Sequence, residues 1–271
     1  MITPSLKRWG TGNRVKVTLS SRDFLDGLLL GDGYYGSPSV YSAFFRLNQK
    51  ALHEDWVLNI GKRLEDIGIK YKLGEVPPQV RVTKTGAVIN AAASVYVQSL
   101  SYRDLIQERD RWYRGNVKIL PKDIRLGAQE LLAHWYMGDG NFSVNRENKS
   151  VNVRLHTNAF SEADVAWLSK SFANVLGLKT TINHWRRQPI LCLQNENASR
   201  FLDFVRPYIS KSFLYKAPED CWKPSKCEVC GLDLIGRPRF TRFCHQHRRE
   251  RMLAQNRERA RALRKINAPV V

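Results

Sequence analysis

The sequence contains one apolar helical pattern that occurs twice and ends both times in Gly-Asp-Gly. The two copies are residues 24–33 and 131–140. Glycine just past a helix is a common left-handed stop, so we expect Gly33 and Gly140 to end the two helices. Asp32 and Asp139 then lie at the C-terminal tips, where the helix dipole disfavours a carboxylate unless a cation lies against it. The repeated pattern therefore predicts a metal ion near the ends of both helices.

The bodies of the two helices predict how they pack. Gly27 and Gly31 are four residues apart on one helix face, so a partner helix can approach that face closely. The second copy has His134 and Trp135 where the first has Gly-Leu. We interpret His134 as an interface histidine rather than a metal ligand, because no other ligand-type residue precedes the aspartate in that helix. Side-by-side packing would bring the two aspartates together.

At these residues the sequence resembles the LAGLIDADG homing endonucleases in their two-motif, single-chain form. The nonapeptide of the family corresponds to residues 25–33 in the first copy and 132–140 in the second. The resemblance implies an enzyme of intron homing, a DNA endonuclease that hydrolyses both strands of a long, non-palindromic double-stranded target. It also implies two saddle-shaped antiparallel sheets that lie along the major groove.

The sequence around the two motifs repeats as well. Residues 45–52 align with residues 153–160, and Gly68-Ile69-Lys70 matches Gly177-Leu178-Lys179. Each unit has the order helix, strands, helix, strands, helix, which indicates an α+β fold with αββαββα in each half and a pseudo-twofold relation between halves. Because both halves are present in one chain, we expect a monomer.

Hydrophobic periodicity divides the chain into five parts. They are a basic N-terminal arm (1–20), a first half (21–114), a linker (115–125), a second half (126–216) and a C-terminal module (217–271). In the first half we predict strands at 41–50, 69–73, 79–83 and 87–98 and helices at 52–66 and 102–113. Ser20, Ser21 or Asp23 can cap the first motif helix, and Ser161 with Asp164 can open a helix in the second half.

The two motif aspartates are the expected catalytic metal ligands. Metal ions between facing carboxylates position water, neutralise the phosphate and stabilise the leaving oxygen of a phosphodiester. Oxygen ligands suit Mg²⁺, for which Mn²⁺ can substitute, and the backbone carbonyls of Gly31 and Gly138 can add to the sites of Asp32 and Asp139.

The resemblance also implies catalytic residues outside the motifs. It places a water-orienting glutamine near the end of the second strand, where Gln49 lies, and a basic residue after the last helix of each half, where Lys118 and Lys211 lie. The second half has Thr157 at the position of Gln49. This difference predicts unequal chemistry on the two DNA strands.

Polar side chains that alternate outward on the strands are suited to reading base edges. Arginine favours guanine, and asparagine favours adenine. The candidate DNA-binding residues are Arg46, Asn48, Lys50, Lys70, Lys72, Arg81, Thr83, Asn152, Arg154, His156, Lys179, Asn183, Arg186 and Arg187.

The charge balance supports a polyanionic partner. Lysine and arginine number 44 against 25 acidic residues, which gives a formal net charge of +19. A membrane partner is not expected, because no apolar run approaches the roughly 20 residues that span a bilayer. We read no secretion signal in residues 1–10 and expect an intracellular, reducing compartment, either cytoplasm or organelle matrix.

The C-terminal module has the cysteine spacing of a zinc ribbon or knuckle. Its predicted structural Zn²⁺ ligands are Cys227, Cys230, Cys244 and His247. We expect Cys192 to be a buried thiol and Cys221 a loop thiol. A helix dense in arginine follows at 248–265. That helix can contact DNA phosphates or be a solvated tail.

A nucleic-acid-binding protein without DNA cleavage is the alternative function. It would be an intron maturase acting on RNA or a DNA-binding regulator on the same fold. We do not expect an intein, because the chain begins Met1-Ile2 and ends Pro269-Val270-Val271 rather than with splicing residues.

Overall fold

The computed structural model of the protein describes residues 13–82, 88–145, 150–219, 221, 226–234 and 241–266, and for residues 81, 82, 89 and 259–266 it describes the backbone alone. The helices are α1 (Leu19–Leu30), α2 (Glu54–Asp66), α3 (Leu105–Trp112), α4 (Gln129–Asp139), α5 (Glu162–Ser171), α6 (Asn195–Val205) and α7 (His245–Ile266). The strands are β1 (Tyr34–Ser39), β2 (Ser42–Lys50), β3 (Tyr71–Val76), β4 (Gln79–Val82), β5 (Val88–Ala91), β6 (Ser94–Ser99), β7 (Tyr113–Arg114), β8 (Val117–Lys118), β9 (Gly140–Val144), β10 (Val151–His156), β11 (Thr181–Trp185) and β12 (Gln188–Gln194). Short 3₁₀ turns lie at Ala51–His53, Arg206–Tyr208 and Lys211–Lys216.

Two four-stranded antiparallel sheets repeat one topology and confirm the duplicated α+β fold. The order is β1-β2-β6-β3 in the first half and β9-β10-β12-β11 in the second. The second half follows αββαββα without interruption. The first half inserts the hairpin β4–β5 between β3 and β6. The single strand expected at 87–98 is therefore wrong, because the chain leaves one sheet at Ala91 and enters another at Ser94.

Helices α1 and α4 cross with their backbones in contact, as the glycine spacing predicts. A Cβ atom on Gly27 would lie 2.4 Å from the carbonyl oxygen of Leu131. His134 and Trp135 do not prevent this approach. His134 is buried and accepts a hydrogen bond at Nδ1 from Trp56 Nε1, 3.0 Å away, which makes it an interface histidine. Burial lowers its pKa to about 3, so it is neutral.

The helix ends differ from those expected. Gly33 and Gly140 are not left-handed stops, since α1 is capped at Gly31 with φ −98° and α4 at Gly140 with φ −89°. Their lack of a side chain serves close approach: a Cβ on Gly33 would lie 2.7 Å from the Leu28 carbonyl oxygen, and one on Gly140 would lie 2.0 Å from the Tyr136 ring.

The start of α1 also differs from the expectation. Thr18 is the N-cap, and it forms a capping box with Ser21, whereas Asp23 pairs with Arg125. Ser161 and Asp164 form the capping box expected at the start of α5.

Each sheet packs one face against helices and turns the other face away from them. In β2, Ala43, Phe45 and Leu47 are fully buried, and the residues between them face outward. Each fully buried aliphatic side chain contributes about 1.5–3 kcal/mol to folding. Helix α2 packs on the buried face of the first sheet and α5 on that of the second. The outer faces are thereby free for a partner.

The segments that flank the halves pack on the core. Arm residues Val15 and Val17 contact it, and Val15 N donates to Asp104 Oδ2 at 2.8 Å. In the predicted linker 115–125, Leu120 and Ile124 are buried. Residues 1–12 of the arm lie outside the described residues, and the five-part division stays a prediction. None of the described helices combines the length and apolar character that a membrane crossing requires.

Candidate active site and nucleic-acid interface

The two motif aspartates lie at abutting helix ends. Asp32 follows the last turn of α1 and is exposed, whereas Asp139 is the last residue of α4 and is half-buried. A Cβ on Gly138 would lie 3.4 Å from Asp32 Oδ2 and 3.3 Å from Gly31 Cα. Backbone contact between the two helices therefore sets the separation of the carboxylates.

The two carboxylates interact electrostatically. Burial and then the negative charge of Asp32 raise the pKa of Asp139 to about 6, against the lowering effect of Lys118 and Lys216. Bringing carboxylates together at the negative ends of two helices is unfavourable without a cation. The donor set of two carboxylates with nearby carbonyl oxygens fits a hard divalent cation such as Mg²⁺.

Gln49 contacts Asp32 directly. Its Nε2 donates a hydrogen bond to Asp32 Oδ2 at 2.5 Å. Gln49 continues the inward-facing series of β2, but it lies at the end of the strand beyond the core, so its amide reaches the tip of α1. The amide oxygen remains on the side chain to accept a proton from a water molecule.

Thr157 has no comparable position beside Asp139. It is fully buried, and its hydroxyl donates to the carbonyl oxygen of Pro189 at 2.6 Å. The first half thus places a side-chain amide at its aspartate, and the corresponding residue of the second half is engaged elsewhere.

Lys118 lies at the first aspartate, as expected. Its Nζ donates to the carbonyl oxygens of Gly31 and Gly33, each 3.3 Å away. Burial lowers the pKa of Lys118 to about 8, although Asp139 and Asp32 raise it. The ammonium group is thereby fixed beside the site by backbone oxygens on either side of Asp32.

At the second aspartate the basic residue is Lys216, whereas the sequence predicts Lys211. Lys216 Nζ donates to the Met137 carbonyl oxygen at 2.8 Å, and the Lys216 carbonyl accepts from Tyr136 Oη at 2.5 Å. Burial lowers the pKa of Lys216, and the two motif aspartates raise it. Lys211 is exposed at the start of the same 3₁₀ turn.

The difference arises from the path of the chain after α6. Lys118 and Lys211 stand equally far beyond the last helix of their halves, which favours Lys211 in the sequence. The two 3₁₀ turns that follow α6 have no counterpart after α3 and carry Lys216 to the site instead. The sequence feature that could have indicated Lys216 is its place directly after the hydrophobic residues Phe213-Leu214-Tyr215, which can pack on the core.

The first half fixes the turn that carries Lys216. Ser212 N donates to Asp55 Oδ2 at 3.0 Å, and the Ser212 hydroxyl lies 3.1 Å from His53 Nδ1. The His53 ring stacks on Phe213 with centroids 3.8 Å apart. The N-terminal end of α2 in one half therefore positions a lysine at the aspartate of the other half.

The predicted base-reading residues of the first sheet lie on its outer face. Asn48, Lys50, Lys70 and Lys72 are exposed. Arg46 is half-buried and donates to Gln98 Oε1 at 3.0 Å, with its guanidinium 4.2 Å from the Tyr96 ring centroid. The side chain of Arg81 and the whole of Thr83 lie outside the described residues.

The second sheet forms a concavity of about 470 Å³ on its outer face. Three predicted residues line it: Arg154, His156 and Asn183. Trp185, which the sequence does not single out, also lines it and is 52% exposed. Asn152 is half-buried, and the remaining predicted residues, Lys179, Arg186 and Arg187, are exposed.

The exposed arginines at the tip of this sheet lie in a tight turn. Trp185 pairs with Gln188, so Arg186 and Arg187 form a two-residue hairpin loop. Both have positive φ, 50° and 66°, as a type I′ turn requires. Non-glycine residues adopt this conformation only at a cost in free energy. The Arg186 guanidinium lies 4.7 Å from the centroid of the Trp185 ring.

Cys227, Cys230, Cys244 and His247 form one cluster in the C-terminal module. Their ligand atoms all lie within 4.8 Å of one another. His247 Nδ1 lies 3.4 Å from Cys227 Sγ and 3.2 Å from Cys244 Sγ, and Cys230 Sγ lies 4.0 Å from Cys244 Sγ. A tetrahedral zinc site with bonds of about 2.3 Å spaces its sulfur ligands about 3.8 Å apart. The group could therefore hold a metal ion.

The backbone around Cys227 favours a thiolate. Burial raises the pKa of the Cys227 thiol, but backbone N–H groups of Cys244, Cys230 and Val229 outweigh it and bring the pKa to about 5. Gly231 has φ +71°, a left-handed conformation that lets the chain turn back after Cys230. Metal ligation requires the deprotonated sulfur that this arrangement provides.

Comparisons with known proteins address the duplicated core. Residues 22–201 match the LAGLIDADG DNA endonuclease family. An uncharacterized protein of Methanocaldococcus jannaschii is 28% identical over 204 residues, which cover 72% of each chain. The cytochrome b mRNA maturase bI2 of Saccharomyces cerevisiae is 30% identical over 115 residues, which cover 39% of this chain and 26% of the maturase.

A solved structure shares the fold. The homing endonuclease I-WcaI, bound to its DNA recognition sequence, superposes with a TM-score of 0.59 at 21% identity. The superposition covers 75% of this chain and 88% of that one. The duplicated arrangement of helices and antiparallel sheets is thus that of a homing endonuclease.

Proposed function

Because this chain belongs to the LAGLIDADG DNA endonuclease family, we propose that it is a site-specific homing endonuclease. In this proposal it cleaves both strands of a long, non-palindromic DNA target by metal-dependent hydrolysis. The observation that carries the proposal is the placement of Asp32 and Asp139 at the abutting ends of α1 and α4. Two carboxylates brought together at a helix interface, in the electrostatic field of Lys118 and Lys216, have chemical use and little structural benefit.

Asp32 and Asp139 would hold Mg²⁺, with the carbonyl oxygens of Gly31 and Gly138 as further donors. The bound metal would neutralise the phosphate and activate water. Gln49, fixed by its bond to Asp32, orients that water through its amide oxygen. Lys118 and Lys216 present positive charge to the phosphate as negative charge develops on it.

The outer faces of the two sheets would bind the duplex. The concavity lined by Arg154, His156 and Asn183 and the exposed row Asn48, Lys50 and Lys72 supply donors for base edges and phosphates. The halves carry different side chains at equivalent positions, so the target should not be a strict palindrome. One chain should bind one duplex, and light scattering that found two chains per duplex would contradict this.

Cleavage of a defined plasmid tests the main proposal. The substrate carries the two sequences that flank this reading frame, joined without it, because a homing enzyme cuts the site of its own insertion. Wild-type protein should linearise the plasmid in Mg²⁺. Asp32→Asn and Asp139→Asn should abolish cleavage and change DNA affinity by less than about tenfold. Full-rate cleavage by either variant would overturn the active-site assignment.

Maturase activity on RNA is the second candidate. The observation that favours it is the local similarity to a cytochrome b mRNA maturase. Binding of the host intron RNA in a filter assay, with no cleavage of the plasmid, would support this function over the first. Binding of RNA together with cleavage would indicate both.

The cysteine and histidine cluster would bind Zn²⁺ as a structural metal. Four protein ligands leave no open position for water, in contrast to a catalytic zinc. Such thiolate ligands persist in a reducing compartment, which supports an intracellular location. Protein purified without chelator should contain one zinc per chain, and Cys230→Ser should lose it while the core keeps its fold.

A further inference from the structure

We propose that the metal site organises residues 226–234 and 241–266 into a second DNA-binding module, whose helix α7 contacts phosphates beyond those that the two sheets cover. The module lies outside the family match, which ends at residue 201. The proposal rests on the proposed function only in that the partner is the same kind of duplex.

The metal ligands fix the start of α7. Cys244 immediately precedes the helix, and His247 lies in its first turn. Arg248 N donates to the Cys244 carbonyl oxygen at 2.9 Å. Cys227 and Cys230 come from the turn in which Cys227 N donates to the Leu232 carbonyl. A bound ion therefore joins that turn to the helix and sets the direction in which α7 leaves it.

The described residues of the module form only a very small apolar core. Its buried core among the described residues consists of Cys227, Leu234 and Cys244, with Phe243 packed against them. Segments this small bury too little apolar surface to fold alone. The metal must therefore supply much of the folding free energy, as in zinc modules generally.

Helix α7 carries a large excess of positive charge. Its range His245–Ile266 contains seven arginines and one lysine against two glutamates. A period of 3.6 residues distributes these cations around the whole circumference. The helix thus lacks an apolar stripe with which to pack on a protein core. Like charges four residues apart destabilise an isolated helix, and phosphates would relieve this repulsion.

Several of these arginines are available to a partner. Arg248, Arg249 and Arg257 are exposed. None of the three forms an ion pair with an acidic side chain among the described residues. By contrast, Arg242 pairs with Glu228 and Arg251 lies 4.4 Å from the centroid of the Phe243 ring. These arginines begin at Arg248, directly after the candidate ligand His247, so a bound metal would fix the helix best where they start.

The effect on DNA binding should appear in its salt dependence. Each phosphate that a protein neutralises contributes about −0.9 to the slope of log affinity against log salt concentration. Loss of two arginine contacts should therefore flatten the slope by roughly 1–2. Loss of the metal should flatten it at least as much, because the whole helix is released from its place.

The test uses the full chain and a mixed-sequence DNA duplex, with binding followed by fluorescence anisotropy across a salt series without Mg²⁺. The variants are Arg248→Ala/Arg249→Ala, which keeps the metal ligands, and Cys230→Ser, which removes one. Zinc content is measured for each protein. The control is Lys62→Ala/Lys170→Ala, which removes two exposed cations from α2 and α5, on the sides of the sheets opposite the outer faces.

We expect both module variants to flatten the slope, the arginine variant with zinc retained and the cysteine variant with zinc lost. The control should not match this change, because its charges face away from the duplex. Slopes equal to wild type in the arginine variant would overturn the proposal. A change seen with an RNA hairpin but not with the duplex would also overturn it. Failure of wild-type protein to cut the flank plasmid would count against the nuclease function alone.

Discussion

Lys216 donates a hydrogen bond from Nζ to the carbonyl oxygen of Met137, 2.8 Å away and two residues before Asp139. We predict that Lys216→Met lowers the cleavage rate about 100-fold with little change in DNA affinity, because it removes the charge that, in the proposed mechanism, acts on the reacting phosphate. Lys211→Met, an exposed change in the same 3₁₀ turn, is the matched control. Equal losses in the two variants, measured by single-turnover cleavage, would show that Lys216 has no special role.

Asp55 should act on this lysine from the other half of the chain. Asp55→Ala removes the acceptor for Ser212 N and should loosen the turn that carries Lys216. We expect the rate of cleavage to fall about tenfold at saturating DNA, with the dissociation constant nearly unchanged. The neighbouring Glu54→Ala, at an exposed position, is the control. A rise in the dissociation constant without a loss of rate would instead place Asp55 in DNA binding.

The two strands should be cut at different rates, because Gln49 contacts Asp32 and Thr157 is engaged with Pro189. Wild-type protein should accumulate nicked plasmid before linear product. Gln49→Leu should lower the faster rate and bring the two rates closer together. Thr157→Val should cost about 1 kcal/mol of stability through a lost buried hydrogen bond and keep the ratio of rates. Equal strand rates in wild-type protein would refute this asymmetry.

Packing of α1 on α4 predicts a contrast between two glycines. Gly27→Ala would place a methyl group 2.4 Å from a main-chain oxygen, so we expect a loss of about 3 kcal/mol in the free energy of unfolding. Gly31→Ala meets its nearest atom, Gly138 Cα, at 3.4 Å and should cost much less. Urea denaturation of both variants gives the comparison, and similar losses would mean that the helices separate readily.

The pKa of Asp139 predicts how pH affects stability without metal. Its folded value of about 6 exceeds the ordinary value of 3.8, so the folded state binds the proton more tightly and loses stability as pH rises through about 6. Asp139→Asn lacks this cost. In the presence of chelator, the free energy of unfolding of Asp139→Asn should exceed that of wild type only slightly near pH 4. The difference should reach roughly 1–2 kcal/mol above pH 7, after screening by solvent. An advantage that is constant with pH would contradict the assignment.

Local sequence patterns predict the features that depend on neighbouring residues in the chain. The alternation in β2, the capping box at Ser161 and the duplicated order of elements follow from such patterns, and the structure confirms them. The glycine spacing at Gly27 also predicts close helix packing, because a missing side chain is visible in the sequence.

Features that depend on the three-dimensional placement of particular atoms, near or far along the chain, are not predictable in this way. Glycine is needed at positions 33 and 140 because a Cβ atom there would clash with neighbouring atoms, not because of the backbone angles of these residues. Lys216 reaches the site through two 3₁₀ turns whose hydrophobic pattern has no clear period. Thr18 displaces the serines as N-cap because Ser21 returns the hydrogen bond within the capping box.

In the proposed endonuclease, the contact between Gly27 and Leu131 has a consequence for the geometry of the cleavage product. Main-chain atoms, not side chains, make this contact between the two helices. Substitutions on the outer faces of the sheets would not alter those atoms. For an endonuclease that cuts both strands, the stagger between the two cuts should therefore stay constant when its target sequence is changed. Redesigned or naturally diverged descendants of this chain would recognise new sites and still leave overhangs of one length.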